Sequence, residues 1–147
     1  MEKQEYLSYP TLKQIQEAKE KLRSLIIETP AHPWHDPWLS EQIGHNTEVF
    51  VKLELLQVTG TFKPRGALNV MFNLDKNQLN RGVTTVSAGN HAIATAYASK
   101  VLGTTAKVIM PKNANRLRMQ MARDLGAEID FADNPHKAFA RVQQIER

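Results

Sequence analysis

The chain has no cysteine. That excludes disulfides and thiolate metal sites and agrees with a reducing compartment. No apolar run is long enough to span a bilayer, and the N-terminus lacks the charged-then-apolar pattern of a signal segment. A cytoplasmic location without membrane attachment is therefore expected. Internal repeats and low-complexity tracts are absent. The charge balance is only mildly basic, with a formal net charge of +4. Lys112, Arg116, Arg118 and Arg123 cluster loosely, but no interleaved aromatics or nucleic-acid module accompany them. They read as a solvated helix face, so no nucleic-acid partner is expected. Glycine is scarce too, and none follows Gly126.

What is present suits a soluble globular domain of ordinary size; its 147 residues can bury a core. Thr11 is placed to cap a first helix, with Leu12, Ile15, Ala18, Leu22, Leu25 and Ile26 at helical spacing. That helix should end before Thr29-Pro30, because a residue preceding proline avoids the helical region. From Ala31 to Gly44 the chain is rich in proline, histidine and tryptophan, and an extended or turning path is expected. His32, His35 and Asp36 are metal ligands by type, but their spacing is not that of a helical pair and no fourth ligand is evident. No metal site is assigned, and Trp34 and Trp38 are expected to pack at a surface or interface.

From Val49 strands and helices alternate. Strands are predicted at Val49–Leu53, Val83–Val86, Ala106–Met110 and Glu128–Ala132. Helices are predicted at Phe62–Asp75, Asn90–Leu102, Asn115–Leu125 and Pro135–Glu146, with Gly103 and Gly126 as C-terminal glycines. This alternation implies an α/β fold, an open and mostly parallel sheet with helices on both faces. Ligands in such sheets bind beyond the carboxyl ends of strands.

Two strand-to-helix junctions carry candidate chemistry. In the first, Thr59-Gly60 is turn chemistry and Thr61 is a good N-cap, so that Phe62, Lys63 and Pro64 fall in the first helical turn. A helix N-terminus disfavours an ammonium, and Phe62 and Pro64 can strip water from it. Such a lysine is a candidate nucleophile toward an aldehyde; the alternative is an ordinary solvated lysine. In the second, Ser87-Ala88-Gly89-Asn90-His91 joins a strand to a helix. Its small residues allow close backbone approach, and successive N–H groups there can hold a carboxylate. Plain N-capping by Ser87 or Asn90 explains the same residues without a ligand.

The run Leu53-Glu54-x-x-Gln57-x-Thr59-Gly60-Thr61-Phe62-Lys63-x-Arg65-Gly66-Ala67 resembles the cofactor-lysine segment of fold-type II pyridoxal-phosphate enzymes. It is most similar to the serine/threonine dehydratase (threonine ammonia-lyase) branch of this tryptophan synthase beta-subunit-like fold. Ser87-Ala88-Gly89-Asn90-His91-Ala92 resembles the same family's substrate loop. The resemblance runs from about Thr29 to the end of the chain. It implies that Lys63 binds pyridoxal 5'-phosphate as a Schiff base and then serves in α-proton abstraction. Phe62 would lie near the cofactor ring, and Asn90 would bond its phenolic oxygen. Ser87, Ala88, Gly89, Asn90 and His91 would bind the substrate carboxylate, His91 chiefly through its backbone. Gly66 and Ala67 would allow close packing at the start of the lysine helix. Arg118 stands where lysine is more usual, a departure expected to touch surface chemistry alone.

The implied reaction is β-elimination of water from L-threonine or L-serine to a 2-oxo acid and ammonia. Racemisation and the threonine synthase reaction remain open. The family's glycine-rich phosphate loop and its pyridine-nitrogen contact have no counterpart here. The expectation is therefore a lead-in at residues 1–48, a small α/β domain at 49–147, and an incomplete second domain. A chain of this kind should bind cofactor weakly alone. It should form a homo-oligomer in full-length form, or associate with the missing half. A reading of another class is a non-catalytic interaction domain that keeps the fold.

Overall fold

A computed structural model describes residues 9–44 and 46–145. Helix α1, Leu12–Leu22, begins with a reciprocal capping box. The Thr11 hydroxyl accepts from the Gln14 N–H at 3.2 Å, and the Gln14 side chain accepts from the Thr11 N–H at 2.8 Å. Only the C-terminal end of α1 reaches the core. Leu22 is buried, whereas Leu12 and Ile15 remain 70% and 53% exposed. Leu25 and Ile26 lie beyond the helix in turns and pack against the same core.

Strand β1, Ala31–Pro33, follows, and then helix α2, Pro37–Ile43. This helix corrects the expectation of an extended path through Ala31–Gly44. Asp36 caps α2, accepting from the Leu39 N–H at 2.9 Å, and Pro37 occupies the first turn, where its missing N–H costs nothing. Strand β2, Phe50–Lys52, lies inside the predicted strand but pairs antiparallel with β1, His32 opposite Val51. It is separate from the parallel sheet, which removes the first of the predicted βαβ units.

A single 3-10 turn at Glu54–Leu56 leads to helix α3, Lys63–Met71. Phe62, not Thr61, occupies the cap position, and the Thr61 hydroxyl instead accepts from the Lys63 N–H at 3.3 Å. The predicted helix Phe62–Asp75 ends four residues early, at Met71, and a further helix that was not predicted follows it. Asp75 caps this helix, α4 (Lys76–Arg81), in a capping box with Gln78.

Among the described residues the main sheet has three parallel strands in sequence order: β3 (Val83–Val86), β4 (Ala106–Pro111) and β5 (Glu128–Ala132). Helix α5 (Asn90–Leu102) links β3 to β4, and α6 (Arg116–Asp124) links β4 to β5. Ala106, Val108 and Met110 face α5 and α6, packing with Ala92, Ala96 and Ala122. Ile109 faces the other way and packs with Ala138 of α7, Pro135–Ile145. Strand alternation thus puts helices on both faces. The remaining residue of the last predicted helix, Glu146, lies outside the described residues.

Helix α5 is the centre of the molecule. Ala92, Ala96 and their neighbours turn to the sheet, while Ala94 and Ala98 turn to Ala67, Leu68 and Met71 of α3. Alanine keeps the backbones close on both sides and is the best helix former. Leu68 and Met71 then fill the space that the alanines leave, each contributing roughly 2 kcal/mol by burial. Gly103 ends α5 in the left-handed conformation, φ 68°.

Candidate active site

The segment before Lys63 is held by a polar latch. Arg65, on α3, donates to both carboxylate oxygens of Glu54, Nε to Oε2 at 2.9 Å and Nη2 to Oε1 at 2.8 Å. The Thr29 hydroxyl donates to Glu54 Oε1 at 2.5 Å. Gln57, buried, bonds the backbone of Ile27 in both senses, accepting from its N–H at 2.8 Å and donating to its C=O at 2.9 Å. Lys52 adds a bond to the Thr29 carbonyl. The guanidinium of Arg65, with Thr29 and Gln57, holds Glu54 at a pKa of about 2, well below the ordinary carboxylate value. Glu54, Gln57 and Arg65, all part of the lysine motif, therefore shape the approach to Lys63 and do not face the cleft.

Lys63 opens α3 and is exposed. Its ammonium lies 5.0 Å from the centre of the Phe62 ring. The ring is itself 57% exposed. Phe62 therefore offers a π-face to the charge and does not dehydrate it, the reverse of the role read from sequence. No carboxylate forms an ion pair with Lys63 among the described residues.

Lys63 borders a cleft of about 510 Å³ between α3, β3 and α5. Phe62, Val70 and Met71 supply apolar wall, and Gly66 and Ala67 line it between them. A β-carbon at Gly66 would meet nothing within 4 Å, so this glycine opens the wall and is not there for close packing. Ala67 does pack, buried against α5. Across the cleft stands His91. Burial around its ring, and secondarily the Lys63 charge, hold the imidazole below its ordinary pKa, which favours the neutral form. Thr95, one turn on and buried, also lines the cleft, and its hydroxyl donates to the His91 carbonyl at 2.9 Å. Sequence reasoning passed over Thr95, although its spacing from His91 puts both on one helix face.

Ser87, Ala88, Gly89 and Asn90 leave the carboxyl end of β3 and enter α5 beside this cleft without lining it. The Ser87 N–H continues the sheet ladder to the Ile109 carbonyl at 3.1 Å. The Ser87 hydroxyl accepts from the Gly89 N–H at 3.2 Å and keeps its own proton to donate. Gly89 is the cap residue, and among the described residues no side chain caps the first turn of α5. The Ala92 N–H bonds the Gly89 carbonyl at 3.1 Å, and the N–H groups of Asn90 and His91 are left for a ligand or water. The capping explanation of Ser87 and Asn90 thus fails for the first turn. Of the two motifs, only this one sits at the end of a parallel strand; the lysine follows the antiparallel pair.

The family described as pyridoxal-phosphate dependent enzyme matches residues 22–147. The chain belongs to this family. It is 51% identical over 100 residues to a phenylserine dehydratase of Ralstonia pickettii, covering 68% of this chain and 31% of that protein. It is 36% identical over 138 residues to an L-threonine ammonia-lyase of Thermotoga maritima, covering 91% of this chain and 33% of that protein. The structure of maize serine racemase superposes with a TM-score of 0.80 at 29% identity, over 95% of this chain and 41% of that one. The chain spans about a third of the length of the curated relatives it matches. The fold is that of fold-type II pyridoxal-phosphate enzymes, and pyridoxal phosphate is the family's cofactor. The residues at the cleft suit that group: an amine without a carboxylate partner among the described residues, an apolar wall for a flat ring, and a gap in the wall at Gly66.

Proposed function

We propose that the whole protein eliminates water from a β-hydroxy amino acid of the threonine or serine type, giving a 2-oxo acid and ammonia. The observation that carries this reading is Lys63, whose amine borders an apolar cleft opposite a neutral-favouring His91. In this reading Lys63 holds pyridoxal phosphate through Nζ, with Phe62 beside the ring and Asn90 donating to its phenolic oxygen. Bound pyridoxal phosphate supplies the electron sink that a carbanion next to a carboxylate needs. Lys63 Nζ would take the proton from the substrate α-carbon. The open N–H groups at the start of α5 and the Ser87 hydroxyl hold the substrate carboxylate, and Ala88 and Gly89 keep that approach free of side chains. His91 contributes its backbone, and its ring closes the cleft wall without adding a second positive charge beside Lys63.

A second reading, racemisation of the same class of amino acid, is favoured by the likeness to maize serine racemase. It uses the same α-proton removal by Lys63 and differs in returning a proton to the opposite face. Product analysis on a full-length form separates them: a 2-oxo acid and ammonia for elimination, the D-amino acid for racemisation.

The direct test is to mix a full-length form with pyridoxal phosphate, reduce with borohydride and map the peptides. Label concentrated on Lys63, and lost in Lys63→Ala, is expected. Label spread over the surface lysines would overturn the reading.

A further inference from the structure

On α3 the residues three, four, seven and eight places after Lys63 are Gly66, Ala67, Val70 and Met71, one apolar stripe that lines the cleft. Its inner half packs: Ala67 and Met71 are buried against α5. Its outer half does not. Val70 is 64% exposed, and a β-carbon at Gly66 would meet nothing within 4 Å. Glycine inside a helix is unfavourable relative to alanine, and Gly66 has no positive φ that would require it. Neither backbone conformation nor packing among the described residues accounts for this glycine. What remains is space kept for a group that is not part of these elements. Lys63 and the Ser87–Asn90 loop take up the amine and carboxylate end of an amino acid, and threonine adds only a hydroxyl and a methyl. The cleft measures about 510 Å³, whereas an apolar cavity of about 150 Å³ already holds a benzene ring. Beside the recess the Thr95 hydroxyl gives its proton to the His91 carbonyl and offers none to a polar side chain.

We propose that the recess along Gly66 and Val70 receives the substituent on the substrate's β-carbon, and that the substrate it fits is a β-hydroxy amino acid carrying an aryl group there. This rests on the reading of Lys63 as the cofactor lysine and of this cleft as the substrate's. Gly66 and Val70 are then specificity residues: the first leaves room for the ring, and the second is an apolar surface for it to cover. The chemistry is unchanged. Elimination removes the α-proton and the β-hydroxyl as water, and hydrolysis of the resulting imine takes a water back, so that phenylserine gives phenylpyruvate and ammonia.

The test uses a full-length form. Its kcat/KM for L-threo-3-phenylserine should exceed that for L-threonine by about tenfold or more, the scale on which an apolar pocket discriminates. Val70→Asn, at an exposed position, and Gly66→Leu, which fills the gap, should each lower that ratio about tenfold. Leu117→Asn, an equally exposed apolar residue of α6 away from the cleft, should leave the ratio unchanged. A binding measurement stands beside turnover. 3-Phenylpropionate keeps the carboxylate and the ring but has no amine to react with the cofactor. In calorimetry it should bind about tenfold more tightly than butyrate, with or without pyridoxal phosphate, and lose that margin in Val70→Asn. Equal Kd values for the two acids, as when the rest of the full-length protein fills the recess, would overturn the proposal. So would a substrate ratio that neither variant moves. Threonine turnover with no preference for phenylserine would keep the elimination reading and remove the recess. A 3-phenylpropionate margin that depends on Val70, in a protein that makes a 2-oxo acid from neither substrate, would keep the recess and remove the elimination reading.

Discussion

Replacing Glu54 by glutamine tests whether the latch around the lysine motif stabilises the fold. The carboxylate receives two charge-assisted bonds from Arg65 and one from Thr29, and its side chain is only 15% exposed. Glutamine keeps the shape but offers Arg65 one neutral acceptor and turns an NH₂ toward another donor. Removing one partner of a buried pair costs about 3–5 kcal/mol, and an exposed pair contributes about 0–1. Arg65, 33% exposed, stands between these cases. The fall of the Glu54 pKa from 4.5 to about 2 sets a ceiling of roughly 3 kcal/mol, which partial exposure lowers. A loss of about 2 kcal/mol at neutral pH is therefore expected. The pH dependence follows from the sign. A carboxylate whose folded pKa is depressed contributes fully above its unfolded value of 4.5, and that contribution fades as pH falls toward about 2. Urea melts of wild type and Glu54→Gln at pH 7, 4 and 2.5 should show midpoints that differ most at pH 7 and converge at low pH. Equal midpoints at pH 7, or a gap that persists undiminished at pH 2.5, would refute the account.

His91 carries a second pH prediction. Its folded pKa is lowered below 6.5, so the unfolded chain takes up a proton before the folded one does; stability falls as pH drops from 6.5 through the folded value, then levels off. An NMR titration should place the imidazole midpoint below 6.5, and Lys63→Ala should raise it only part of the way, because burial is the larger cause. At the entry to β3, Gly82→Ala combines a φ of +82° with a β-carbon only 2.3 Å from Thr105 Oγ1, and should cost about 2–3 kcal/mol in a urea melt. Gly103→Ala, with φ +68° and nothing within 4 Å, should cost only about 1 kcal/mol, the conformational part.

The elements that sequence reasoning placed best are those whose signals are local. Val83–Val86, Asn90–Leu102 and Glu128–Ala132 appear with the predicted bounds, each a short apolar strand or a helix closed by a glycine. Helices α2 and α4 had readable starts, Asp36-Pro37 and Asp75 with Gln78. Proline was read as a breaker in one, and apolar periodicity overran the stop in the other. The pairing of β2 with β1 was not legible, because strand partners are chosen by the rest of the fold. The site divided the same way. Lys63, Phe62 and His91 were legible from motif residues and do share one cleft. The structural duty of Glu54, Gln57 and Arg65 lies in contacts with Ile27 and Thr29, which depend on how the chain before β1 lies against α3.

The alanine faces of α5 make that helix a stiff mount. Ala92 and Ala96 clamp it to the sheet and Ala94 and Ala98 to α3, with side chains too short to swing or repack. The loop that begins at Ser87 is bolted to this mount, whereas Phe62 and Val70 stand largely in solvent on the opposite wall. Adjustment to a ligand is therefore confined to side chains: Phe62 and Val70 have room to turn, while the backbones of both walls are held by packing.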